Sequence, residues 1–299
     1  MTLTRDDVIE AASVIGGRVR RTPVVEAAPG VWLKLECLQH AGSFKVRGAF
    51  NRMLSADLPA AGVIAASGGN HGLAVAHAAR ALGIRAEIFV PEVCAPVKIA
   101  GLRALGAEVV VTGAIYADAL GASRKRAAET GALELHAYDQ HEVVAGQGTL
   151  ALELEEQVPG LDTIVVAAGG GGLSGGVRAA FGGEVVVVEP ELIPTIHRAL
   201  AAREPVQVDV SGVGADALGA SRAGAIALEV LQDRVTSVLV SDEAISEARR
   251  TLWRDHRVAS EHAGAAAYAA LLSGRWAPSP GSTTAIVVCG SNTDPATLA

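Results

Sequence analysis

Cysteine is scarce in this chain of 299 residues: Cys37, Cys94 and Cys289 are the only three. They are odd in number and far apart. They make neither a zinc-ligand spacing nor a disulfide framework, so a reducing, cytoplasmic setting is expected. Long apolar runs are also missing. The most apolar regions are broken by glycine runs or charges, which argues against a membrane-crossing helix and a membrane partner. The opening Met1-Thr-Leu-Thr-Arg-Asp-Asp lacks the basic-then-apolar order of a signal peptide, so no targeting segment is expected. Net charge is −7, and basic residues are scattered apart from short clusters such as Arg124-Lys125-Arg126. That pattern excludes a nucleic-acid partner and puts the cluster on a solvated helix face. There is no Pro/Ser-rich linker, internal repeat or low-complexity segment.

Half of the residues are hydrophobic and 19% are charged, the balance of a folded globular chain. Its length suits one large or two ordinary domains. Short β-rich runs alternate with helical patterns. Strands are predicted over 31–36, 62–66, 86–90, 108–111, 133–136, 163–167, 184–188, 235–240 and 284–288. Helices are predicted over 70–82, 96–105, 116–130, 142–157, 173–181 and 242–256, the last with Ser241 as N-cap and Asp242 and Glu243 in its first turn. Several strands are near-continuous Val/Ile runs, as expected of parallel strands covered on both faces. The fold class is therefore α/β with open parallel sheets. Residues 58–140 hold four strands and three helices of their own. They read as a small mobile domain inserted into a larger one made of 1–57 and 141–299, with a cleft between.

The strongest local feature is "TIVVAAGGGGLSGGVRAAF", Thr163–Phe181. Gly169 to Gly172 follow a buried strand and precede a helix. Backbone N–H groups can converge there on an anion, and a helix N-terminus adds about half a positive charge. A tight strand-to-helix turn alone would need one glycine, so the run reads as a phosphate cradle. Gly170-x-Gly172-x-x-Gly175 also satisfies a dinucleotide fingerprint. Glu189 ends the next strand, where a ribose-binding acid would sit, and a nicotinamide-dependent oxidoreductase is a reading of this segment.

That reading leaves two stretches unused. In "AASGGNHGLAVAHAAR" (Ala65–Arg80), Ser67, Asn70 and His71 sit among three glycines at a strand end. Helix capping by Ser67 or Asn70 would need only one of them. In "HAGSFKVRGAF" (His40–Phe50), Lys45 follows a small, flexible lead-in at a helix start.

Five segments in order, "GSFKVRGA", "SGGNHG", "AGQGT" (Ala145–Thr149), "GGGGLSGG" and "VVCGSN" (Val287–Asn292), resemble fold type II pyridoxal-phosphate enzymes. This is the tryptophan synthase β-like class, and the similarity is nearest to its serine/threonine dehydratase (ammonia-lyase) group, which includes serine racemase. It runs from Arg21 to Asn292. It implies two open parallel-sheet domains with the cofactor, pyridoxal 5'-phosphate, in the cleft between them, in a homodimer of the short catabolic type. It also implies β-elimination of L-threonine, L-serine or a similar β-hydroxy amino acid to a 2-keto acid and ammonia. Lys45 would hold the cofactor aldehyde and later act as acid/base at the substrate Cα, a role suited to an amine with a lowered pKa. Gly169, Gly170, Gly171, Gly172 and Leu173 would cradle the phosphate. Asn70 would bond the ring oxygen, Phe44 would pack on the ring and Cys289 would face the pyridine nitrogen. Ser67 and the backbone of Gly68, Gly69, Asn70 and His71 would hold the substrate carboxylate. Hydroxide would leave with help from the cofactor phosphate. Gln147 has no assigned role.

The chain also departs from that pattern. Serine racemase carries a second serine, an acid/base on the opposite face of Cα, where this chain has Gly68, so racemisation should be poor. The racemase metal site would start at Glu189 but lacks its second acid near Thr195, so no metal is expected. "ADG" reads Ala215-Asp216-Ala217, and "EPAGA" reads Glu261-His262-Ala263-Gly264-Ala265. Both segments should line the cofactor site, which leaves substrate preference open to hydroxyaspartate, phenylserine and related β-hydroxy amino acids.

Overall fold

The structure, a computed structural model, describes residues 2–298. Helix α1 (Arg5–Val14) starts at a reciprocal cap. The Thr4 hydroxyl accepts from Asp7 N–H, and the Asp7 carboxylate accepts from Thr4 N–H. Strands β1 (Val24–Ala28) and β2 (Val31–Lys34) pair antiparallel and lead into α2 (Lys45–Leu54). The chain then builds one compact sheet: β3 (Val63–Ala66), α3 (Asn70–Leu82), β4 (Ala86–Val90), α4 (Pro96–Ala104), β5 (Glu108–Val111), α5 (Tyr116–Thr130) and β6 (Leu133–Glu134). Its four strands are all parallel, in the order β5-β4-β3-β6.

Helix α6 (His141–Gln157) returns to the first layer. There follow β7 (Leu161–Ala167), α7 (Gly172–Ala180), β8 (Glu184–Pro190), α8 (Thr195–Ala202), α9 (Ala215–Leu218), α10 (Ala225–Leu231), β9 (Thr236–Val240), α11 (Asp242–His256), α12 (His262–Leu272) and β10 (Thr283–Val287). The large sheet runs β1-β2-β10-β7-β8-β9, parallel except for β1 at its edge. Ile164 to Val166 and Val185 to Val188 are wholly buried, because helices cover both faces of these central strands.

Backbone contact between helices explains the glycines of Ala145–Thr149. A Cβ on Gly146 would lie 2.7 Å from Gly48 Cα, and one on Gly148 would lie 2.5 Å from Gly176 O. Helices α2, α6 and α7 therefore pass closer than side chains would allow. Gln147 also gains a role, since its Oε1 accepts Gly48 N–H at 3.2 Å. The regular acceptor of that N–H would be Phe44 O, which takes Arg47 N–H at 3.0 Å instead, so Gln147 steadies the turn that begins with Lys45.

Candidate active site

The two sheets face each other across a cleft of about 610 Å³. Phe44, Lys45, Ser67, Gly68, Gly69, Asn70, His71, Gly169 to Leu173 and Cys289 all line it. Four stretches far apart in sequence thus converge on one cavity.

Lys45 is the first residue of α2, and its approach is fixed by β10: Phe44 N–H donates to Cys289 O at 3.2 Å. The Lys45 Nζ donates to Ala137 O at 2.7 Å and lies 5.2 Å from the Phe44 ring centroid. Burial pushes its pKa down to about 8, and the nearby Glu261 carboxyl only partly opposes it. Desolvation disfavours the charged ammonium, so the neutral amine is accessible near neutral pH.

Gly169 to Gly171 join β7 to α7. Gly171, at φ +90°, takes the helix N-cap in the left-handed region, where no side chain bonds the first-turn amides. Among the described residues, the N–H groups of Gly169, Gly170 and Gly171 find no acceptor in the protein. A Cβ on Gly169 would lie 2.9 Å from Leu218 O, and one on Gly172 would lie 2.9 Å from Tyr138 Cα. Open amides at a helix N-terminus, in a loop with no room for side chains, fit a phosphate group. Tyr138, which carries no signal in the sequence beyond its aromaticity, rests on this loop and donates its hydroxyl to Arg222 O at 3.2 Å.

On the facing side, the N-cap of α3 is Gly69, and no side chain caps that helix. Capping by Ser67 or Asn70 is therefore not what this loop is for. Ser67 Oγ accepts Gly69 N–H at 3.2 Å. The His71 ring is tied to β6: Nε2 is 2.9 Å from Leu135 O, just beyond that strand, and must be the donor, because a carbonyl only accepts. Burial, with Lys45 adding to it, pushes His71 down to about 3, so the ring is neutral.

Cys289 is buried at the end of β10, and its thiol donates to Ala263 O at 3.5 Å. Burial raises its pKa, so it is a neutral thiol. The departing segments do line the cleft. Asp216 and Lys98 pair across its mouth from α9 and α4, and Glu261 reaches Asn70.

Glu189 requires a correction. Its carboxylate is fully buried and accepts the N–H groups of Ile196 and His197 at 2.7 Å each. It closes the N-terminus of α8 and lies outside the cleft, so it serves neither as a ribose-binding acid nor as the first ligand of a metal. Among the described residues, no group of three or more His, Cys, Asp or Glu could hold a metal ion. The Arg124-Lys125-Arg126 cluster is only partly a solvated face, because Arg126 pairs with the buried Glu87.

Comparison with known proteins agrees with this geometry. Residues 15–290 match the family described as pyridoxal-phosphate dependent enzymes. An L-threonine ammonia-lyase of Thermotoga maritima is 35% identical over 307 residues, covering 98% of this chain and 76% of the relative. A phenylserine dehydratase of Ralstonia pickettii is 37% identical over 298 residues, covering 94% and 90%. The structure of maize serine racemase superposes with a TM-score of 0.94 at 32% identity, covering 100% of this chain and 96% of that one. The lysine, the open amides and the asparagine meet in one cleft within a matched span that takes in all of them, and the chain belongs to the pyridoxal-phosphate dependent enzyme family.

Proposed function

We propose that the protein is an ammonia-lyase that removes water from L-threonine, L-serine or a similar β-hydroxy amino acid and releases a 2-keto acid and ammonia. The observation that carries this reading is the convergence of Lys45 Nζ, the open Gly169–Gly171 amides and the Ser67–His71 loop on one cavity. The relatives that are ammonia-lyases and dehydratases support it.

Bound to Lys45, pyridoxal phosphate supplies the electron sink that makes the substrate Cα proton removable. The amides of Gly169 to Leu173 would hold its phosphate, Asn70 would donate to its ring oxygen, and Phe44 would pack on the ring. Cys289, a buried neutral thiol on the cleft wall, would stand at the ring nitrogen and could not force it to stay protonated, so the ring would be a weaker electron sink than one held by a carboxylate. The Ser67 hydroxyl and the amides of Gly68 to His71 take the substrate carboxylate. The Lys45 amine would accept the Cα proton, and the β-hydroxyl would take up a proton and leave Cβ as water. One water is lost, and a second hydrolyses the released enamine, so the net products are keto acid and ammonia.

Gly68 has no proton to offer on the far face, which favours elimination over racemisation. We also read residues 58–140 as a mobile unit that closes over the substrate against 1–57 and 141–299, and the enzyme as a cytoplasmic homodimer. The self-contained sheet between Val63 and Glu134 and the Lys98–Asp216 pair across the mouth support the first of these.

A second reading concerns the substrate side chain. Among the described residues, Lys45 and Lys98 are the only lysines or arginines lining the cleft, and Lys98 already has Asp216. A second substrate carboxylate would lack a partner, so hydroxyaspartate fits poorly. Val93 and Tyr116 offer exposed apolar surface on the cleft wall, which suits a phenylserine-like side chain. Keto-acid formation from a panel of serine, threonine, phenylserine and hydroxyaspartate tests both readings. Turnover of none of them would end the first, and a preference for hydroxyaspartate would end the second.

A further inference from the structure

Glu261 terminates a hydrogen-bonded chain whose direction is fixed. At the far end, Ala41 C=O can only accept, so Asn292 gives it Nδ2–H at 2.8 Å. The same Asn292 nitrogen donates to Asn70 Oδ1 at 2.6 Å. Asn70 must therefore turn its oxygen to Asn292 and its NH₂ the other way, where Nδ2 donates to Glu261 Oε1 at 2.5 Å. An NH₂ carries two hydrogens. Glu261 takes one, and the other remains for the cleft that Asn70 lines.

The acceptor is itself held in place. Glu261 is 7% exposed, and its side chain packs against Gly290, where no side chain could fit beside it. Glu261 N–H also donates to Gly290 O at 3.1 Å. Its charged and titratable neighbours are Lys45, Cys289, Cys37, Asp216, Lys98 and Arg249. None of them forms a salt bridge with it among the described residues. The steps above make no use of this carboxyl.

We infer that Glu261 is a positioning residue: by accepting one N–H of Asn70, it keeps the other aimed at the ring oxygen of the bound cofactor. The inference rests on the reading that Asn70 contacts that oxygen. Without the acceptor, Asn70 would be held at one end only, with a buried N–H unpaired.

The test uses the purified protein loaded with pyridoxal phosphate. The cofactor dissociation constant and the visible absorption band are measured for wild type, Glu261→Ala, Glu261→Gln, Asn70→Ala and the Asn70→Ala/Glu261→Ala double variant. Glu261→Ala should bind the cofactor about tenfold more weakly and shift the band. Glu261→Gln keeps an acceptor oxygen and should stay within about threefold of wild type. The double variant should be no weaker than Asn70→Ala alone, because both changes remove the same contact. Wild-type affinity in Glu261→Ala would overturn the inference. So would a Gln variant as weak as the Ala variant, or losses that multiply in the double variant. Should Glu261→Ala fail to fold, Glu261→Asp, which withdraws the acceptor by one methylene, replaces it under the same criteria. A colourless wild type would instead remove the cofactor reading beneath.

Discussion

The guanidinium of Arg47 and the carboxylate of Glu36, both fully buried, are joined by two hydrogen bonds of 2.8 Å. Arg47 stands two residues beyond Lys45 on α2, and it also donates to Glu153 at 2.7 Å and to Thr149 at 3.1 Å. Lys34 reaches the same Glu153 from β2, at 2.6 Å. The network ties α2 to β2 and α6 beneath the cleft floor.

Breaking one side of this pair strands a buried charge. Arg47→Met should cost about 3–5 kcal/mol, read as the change in urea-unfolding free energy. A loss below about 1 kcal/mol would show that the pair does not hold α2. Burial pushes Glu36 up, but the charge and hydrogen bonds of Arg47 outweigh it and leave its pKa below the usual carboxylate value. The sign follows. The unfolded chain binds the proton more readily, so this contribution is full above about pH 4.5 and is lost as pH falls through the folded pKa. Glu36→Gln should be less stable than wild type at pH 7 and lose less stability on acidification.

The pH dependence of cofactor loading reads Lys45 directly. Only the neutral amine attacks an aldehyde, and burial sets its pKa at about 8. The rate of colour development on mixing apoprotein with pyridoxal phosphate should rise with pH to a midpoint near 8 and then level. A midpoint near the ordinary lysine value would show that the site does not desolvate the amine.

Gly68 and Cys94 share one space. A Cβ on Gly68 would lie 2.5 Å from Cys94 Sγ. Gly68→Ser alone should lower the melting temperature without adding L-to-D conversion of serine. Combined with Cys94→Ala, the same serine has room. That double variant should recover stability and racemise measurably faster than wild type, as followed by chiral chromatography. Equal racemisation in wild type and double variant would place the second proton donor elsewhere.

The Lys98–Asp216 pair crosses the cleft mouth with both side chains partly exposed. Such pairs add little stability, so Lys98→Ala should change unfolding free energy by less than about 1 kcal/mol. Its effect belongs in KM, which should rise in the variant, and in salt dependence, since KM of wild type should rise with ionic strength while that of the variant changes less. Parallel salt dependence in both would remove the pair from substrate capture.

How far the sequence could be read depended on whether a residue's neighbours were local. The Val/Ile runs and the Asn70–Leu82, Tyr116–Thr130 and Asp242–His256 helices carried their own periodicity, and the structure has those three helices at the same bounds. Helix α12, His262–Leu272, went unseen because its alanines are buried on every side and leave no polar stripe. Strand β1 has no apolar alternation, and it pairs antiparallel at a sheet edge. Within the site, the glycine loops and Lys45 showed themselves through local composition. Tyr138, Asn292 and Lys98 act through partners tens to hundreds of residues away, and nothing beside them in the chain points there. Lys34 and Glu36 show no role in the sequence, because Arg47 and Glu153, which face them, lie on other elements. Glu189 was legible as a strand end, but the turn of its carboxylate toward α8 was not.

The most direct measurement reduces the pyridoxal-phosphate-loaded protein with borohydride and maps the label by peptide mass spectrometry. A single pyridoxyl adduct on Lys45 Nζ is the predicted result. An adduct confined to another lysine, or none at all on a protein that has taken up the cofactor, would contradict the account at its foundation.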